Sequence, residues 1–106
     1  MTDADVKKIV KATIRELRRD GLLKDWRAQA YQDIGERLYR YYGGAEDADL
    51  EAALDDLRSD YYFRIIPLYY GERRTIEALA EQMHVEVSTI TRNKRRLCLA
   101  IYDTVE

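Results

Sequence analysis

The stretch that decides the fold is Thr75–Leu97, TIEALAEQMHVEVSTITRNKRRL. Thr75 is a candidate N-cap, because its short hydroxyl can accept from an unpaired N–H at a helix start. Glu77 follows in the first turn, where a carboxylate favours the positive end of the helix dipole. Leu79 and Met83 lie four residues apart and share one helix face. Ala80 is small where two helices of a tight pair must approach closely. His84-Val85 reads as a turn, with Val85 plugging the space between the helices. A second helix opens near Val87 and turns Ile90 and Leu97 inward. Cap, alanine, turn valine and basic second helix, in that order, spell a helix-turn-helix.

The inward position of Ile90 fixes what the other side presents. Val87, Ser88, Thr91, Arg92 and Arg95 share much of the face that a recognition helix lays in the major groove, and they are the candidate base-contacting residues. Ser88 and Thr91 are short and polar enough to hydrogen-bond bases or phosphates. Arg92 carries the planar fork that reads guanine O6 and N7 bidentately. Lys94 and Arg96, with Thr75 at the first helix, are the candidate phosphate contacts, and Arg95 belongs to the same basic run. Such contacts add affinity without sequence information.

These residues resemble a known family. Thr75–Leu97 aligns without gaps to the helix-turn-helix of sigma-70 region 4 and is similar to the sigma-like phage regulators of the ArpU and RinA type. The shared pattern is carried by Thr75, Ile76, Glu77, Leu79, Ala80, Glu81, Met83, Val85, Thr89, Ile90 and Arg92. The resemblance covers about residues 59–102. It implies sequence-specific promoter or operator binding, and contact with RNA polymerase as a further partner. Three positions depart from the pattern. His84 replaces the usual turn glycine, Glu86 the usual Ser/Thr cap, and Asn93 a commonly apolar residue.

Composition sets the bounds. A chain of 106 residues has room for one compact domain or a small domain with a helical extension, and 46% apolar residues suffice for a modest core. A single cysteine, Cys98, excludes an internal disulfide, and its apolar neighbours mark it as a buried hydrophobe. The lone His84 leaves no His/Cys cluster, so neither a metal nor another cofactor is expected. There is no Gly-rich phosphate loop and no nucleophile–base arrangement, and catalysis is not expected. The opening MTDADVKKIVKATIRE lacks the apolar core of a signal peptide, and no stretch approaches the ~20 apolar residues of a membrane span. The expectation is a cytoplasmic protein with no membrane partner.

The net charge of −2 hides an uneven distribution. Residues 44–60 hold seven carboxylates against Arg58 alone, a local net of −6, which leaves +4 elsewhere. Screening beyond ~8–10 Å mutes a distant acidic segment, so the total does not forbid DNA binding. The acidic segment is expected to lie away from the DNA.

The spacing is helical nearly throughout, and the expected fold class is all-α, a helical bundle with a C-terminal helix-turn-helix. One helix is expected from Thr2, with Val6, Ile9, Val10, Ile14 and Leu17 on one face and Asp20-Gly21 as its stop. A second opens after Asp25, turns Trp26, Tyr31, Ile34, Leu38 and Tyr41 inward and closes at Gly43-Gly44. A third begins near Asp47 or Asp49 and buries Leu50, Ala53, Leu54 and Leu57. From Ser59 to Tyr70 the stripe continues, but Pro67 predicts a kinked or broken helix whose aromatics are core. Two regions follow from this: 1–58, for dimerisation or bracing, and 59–106, the DNA-binding region. The Val6–Leu17 and Trp26–Tyr41 faces either pair with a second copy, giving a homodimer on two half-sites, or pack back on the Tyr61–Tyr70 aromatics. The function expected is that of a transcription regulator or sigma-like protein of phage or mobile-element origin, acting on double-stranded DNA. The alternative is a module that docks on RNA polymerase without reading DNA.

Overall fold

Helix α1, Trp26–Tyr42, buries Ala30, Ile34 and Leu38, one residue per turn along a single stripe. The computed structural model describes residues 26–106 and is all-helical there, with no strand among the described residues. The helix expected over Val6–Leu17 lies outside them. α1 ends where its sequence turns to glycine. Gly44 sits at φ 111°, a backbone region that side chains other than hydrogen rarely adopt. Gly44 N–H donates to Tyr41 O (3.1 Å) and Ala45 N–H to Arg40 O (3.0 Å). This pair of bonds satisfies the last carbonyls of the helix.

Helix α2, Ala48–Leu57, starts on Asp47, whose carboxylate accepts from Leu50 N–H at 3.1 Å. The same carboxylate receives Nε and Nη2 of Arg37 on α1 at 2.5 and 2.8 Å. One side chain therefore caps α2 and ties it to α1. The Arg37 hydrogen bond holds the Asp47 carboxyl below the usual carboxylate range.

Past α2 the chain runs through short turns in place of a helix. Asp60 organises them by accepting from Tyr62 N–H at its side chain (2.9 Å) and from Phe63 N–H at its carbonyl (3.0 Å). At Pro67, which cannot donate, the backbone widens into a π-helical turn, Pro67–Gly71, closed by Glu72 N–H on Pro67 O at 3.1 Å. The break expected at Pro67 is thus present. Tyr70 is buried and Tyr62, Phe63 and Tyr69 pack against the core, whereas Tyr61 stands 66% exposed.

Two further helices complete the chain: α3, Ile76–Met83, and α4, Val87–Val105. α4 is the spine. Its first turns enter a small cluster of Ile65, Leu79, Ala80, Met83 and Ile90. Its second half, with Leu97, Cys98 and Ile101, closes a larger cluster with Ile34, Leu38, Leu50, Leu54, Ile66 and Tyr70. Each fully buried Leu or Ile there contributes roughly 1.5–3 kcal/mol of burial free energy. The Trp26–Tyr41 face packs within the chain, against α4 and the Pro67–Gly71 turn. Residues 26–57 brace the α3–α4 pair by sharing a core with α4.

Candidate nucleic-acid interface

Thr75 is an N-cap in extended conformation (φ −77°, ψ 159°), and its Oγ1 accepts from Ala78 N–H at 3.1 Å. That bond leaves the exposed hydroxyl proton free to donate outward. At the other end of α3, His84 takes the left-handed conformation (φ 57°, ψ 43°). His84 N–H donates to Glu81 O at 3.3 Å and Val85 N–H to Ala80 O at 3.0 Å. These are the same two bonds that close α1 around Gly44, here with histidine in the glycine position. Glu86 precedes α4 in extended conformation, but its carboxylate makes no cap bond to the backbone. It accepts instead from the Ser88 hydroxyl, at 3.5 Å.

With Ile90 and Leu97 fully buried, α4 presents Val87, Ser88, Thr91, Arg92 and Arg95 to solvent. Val87 is 44% exposed, which is unusual for an apolar side chain beside a packed helix pair. Arg92 and Arg95 have no carboxylate partner among the described residues. All five candidate base contacts thus share one open face.

The phosphate candidates fare differently. Lys94 is buried at 8% exposure, with its ammonium 3.9 Å from the Tyr69 ring centroid and 5.3 and 5.8 Å from those of Tyr31 and Tyr70. Burial opposes its charge, but the Tyr31 and Tyr69 hydroxyls outweigh that and raise its pKa. Held in this tyrosine cage, Lys94 lies off the open face of α4 on which the phosphate contact was expected. Four residues after Ile90 and three before Leu97, Lys94 lies on the inward stripe of α4.

Arg96 is exposed but engaged. Its Nη1 and Nη2 donate to the two carboxylate oxygens of Asp60 at 2.9 and 3.0 Å, and its Nε to Asn93 Oδ1 at 3.1 Å. The Arg96 hydrogen bond holds Asp60 below the usual carboxylate range. Asp60 belongs to the acidic segment expected to lie away from the DNA, yet it sits against α4 one turn beyond Arg92.

Two arginines that sequence reasoning passed over also border this surface. Arg73 sits at φ 59°, with its guanidinium 4.1 Å from the Tyr39 ring centroid. It lines an open cavity of about 300 Å³ with Tyr39, Tyr69, Arg74 and Thr75. Arg27, at the start of α1, lines another of about 250 Å³ with Trp26, Ala28 and Arg95. The Arg73-Arg74 pair directly before the Thr75 cap was a legible sign of the first; no local pattern pointed to Arg27.

Burial raises the pKa of the Cys98 thiol, and its sulfur lies 3.5 Å from the Tyr70 hydroxyl inside the core. Among the described residues no His/Cys/Asp/Glu group is arranged to hold a metal, and no helix is long and apolar enough to cross a membrane. No family model, curated protein or solved structure matches the chain. The likeness to sigma-70 region 4 therefore rests on the residues of Thr75–Leu97 alone.

Proposed function

We propose that the chain is a sequence-specific DNA-binding protein that regulates transcription, with α3 and α4 as a helix-turn-helix of the sigma region 4 kind. In this reading the first turns of α4 enter the major groove. Ser88, Thr91 and Arg92 meet base edges, and Val87 offers apolar contact to a thymine methyl group. Thr75 donates to a phosphate on the near strand. One observation carries the proposal: the face of α4 opposite buried Ile90 is open, polar and basic, and its arginines are unpaired among the described residues.

Selection of bound duplexes from a random library with the full chain tests the reading. The expected result is one enriched sequence, bound with steep salt dependence. Arg92→Ala should then cost about 1–3 kcal/mol on that sequence and relax preference at one base pair. No enrichment, together with salt-insensitive binding to RNA polymerase, would replace this reading by that of a polymerase-docking module.

A further inference from the structure

Arg27 and Arg95 come from different ends of the chain yet line one cavity of about 250 Å³, where the start of α1 meets the middle of α4. Each guanidinium lies over an aromatic ring at cation–π distance. Arg27 Cζ lies 5.1 Å from the Trp26 centroid, and Arg95 Cζ lies 5.6 Å from that of Tyr31. A cation–π contact uses no N–H donor of the guanidinium in a hydrogen bond, so its donors stay available for a bidentate acceptor. Neither group has a carboxylate partner among the described residues, whereas Arg37, Arg58, Arg74 and Arg96 all do. Two like charges facing one cavity repel, and an anion between them converts that repulsion into attraction.

The position of the pair says which anion. Arg95 stands eight residues beyond Val87, or about 12 Å along the helix axis at ~1.5 Å per residue. With Val87 and Ser88 at the base edges, Arg95 lies about two turns further along the helix, past the N-terminal residues that reach bases. We infer that Arg27 and Arg95 together clamp one backbone phosphate of the duplex, so that the DNA footprint extends from α4 onto the N-terminal end of α1. This rests on the DNA-binding reading. It also moves Arg95 from the base-reading set to the phosphate set and gives α1 a role beyond bracing.

The test uses the full chain, the selected duplex and an unrelated duplex. Arg27→Ala and Arg27→Gln should weaken binding to both duplexes by the same factor. Each should also reduce the salt slope by up to the ~0.9 of one phosphate contact, so that affinity falls up to about 3.5-fold less than for the unsubstituted chain between about 50 and 200 mM salt. Arg95→Ala should do the same, and the double variant should lose less than the product of the two, because both residues hold one phosphate. Arg27→Gln keeps helix propensity, and far-UV circular dichroism of each variant shows that the fold is retained. If both Arg27 variants leave affinity and slope unchanged while Arg92→Ala still relaxes base preference, the clamp is wrong and the DNA-binding reading stands. A change of preference at one base pair in Arg95→Ala also overturns the clamp. Absence of duplex binding by the unsubstituted chain removes both.

Discussion

Replacing His84 by glycine should stabilise the protein. His84 closes α3 in the left-handed region at φ 57°, ψ 43°, where a Cβ atom crowds the following carbonyl at a cost of roughly 1–2 kcal/mol. Glycine removes that cost, although its freer unfolded chain returns roughly 0.5–1 kcal/mol. The closing bonds from His84 N–H and Val85 N–H are made by backbone and survive the change. The imidazole is exposed, so little packing is lost. A net gain of about 0.5–1 kcal/mol follows, read as a rise of about 3–6 °C in Tm for a domain of this size. The chain contains the mirror experiment, because Gly44 closes α1 with the same pair of bonds at φ 111°. A Cβ added there meets nothing within 4 Å, so Gly44→Ala should lose about 1 kcal/mol from backbone strain alone. His84→Ala retains the left-handed cost and should melt close to the unsubstituted protein. Thermal unfolding followed by circular dichroism compares the four chains. If His84→Gly melts at or below His84→Ala, backbone strain is not what distinguishes this turn.

Three other outcomes are expected. Lys94→Ala should lower stability by about 1–3 kcal/mol, through loss of the desolvated cation–π contacts and of a buried stem, and should leave the salt slope of DNA binding unchanged; a reduced slope in a folded variant would return Lys94 to the interface. Asp47 has a folded pKa below its unfolded value, so its contribution is complete above the ordinary carboxylate pKa of about 4 and is lost as pH falls through the folded value. Asp47→Asn keeps a capping side chain but removes that charge, so urea midpoints should fall less for the variant than for the unsubstituted chain between neutral pH and pH of about 3; equal falls would detach Asp47 from the acid limb. Asp60→Asn releases Arg96 from an exposed pair worth under ~1 kcal/mol, and should raise the salt slope by about 0.9 as Arg96 reaches a phosphate. An unchanged slope would place Arg96 outside the interface.

Where periodicity and capping chemistry agreed, the sequence was readable. Asp47, Thr75 and Gly44 stand at helix ends because a carboxylate, a hydroxyl and a missing Cβ each solve a local problem that needs no tertiary context. Ile34, Leu38 and Leu54 are core for an equally local reason: nothing polar competes for their stripe. Lys94 was misplaced because its charge argued for solvent while its spacing from Ile90 and Leu97 argued for the core. The deciding fact was the Tyr31–Tyr69–Tyr70 cage, assembled from two other elements. Asp60 and Arg96, 36 positions apart, form a pair that no local window contains. The same holds for Arg27 and Arg95, which meet only because α1 folds back on α4. The left-handed Arg73 is a further case, set by the π-helical turn before it, in which Arg74 N–H reaches Leu68 O at 3.1 Å.

A chain with net charge −2 can hold a polyanion if its acids are engaged elsewhere and its free cations are gathered on one side. Within the acidic segment Asp47 is paired with Arg37, Asp55 with Arg58 and Asp60 with Arg96. The basic run of α4 is meanwhile divided by the helical period. Lys94 turns inward to the tyrosines, Arg96 turns sideways to Asp60, and Arg92 and Arg95 turn outward. Four cations in the sequence are therefore two at the open face, and α1 adds Arg27 beside the second of them. Since interactions between exposed charges are largely screened beyond ~8–10 Å, it is these arginines that set the field a phosphate meets. The division also assigns different work to each cation. Lys94 fixes the helix to its brace, and Arg96 fixes it to the turns before Pro67. In the proposed reading, Arg92 and Arg95 are then held on a rigid helix, where their positions relative to a groove are defined before any DNA arrives.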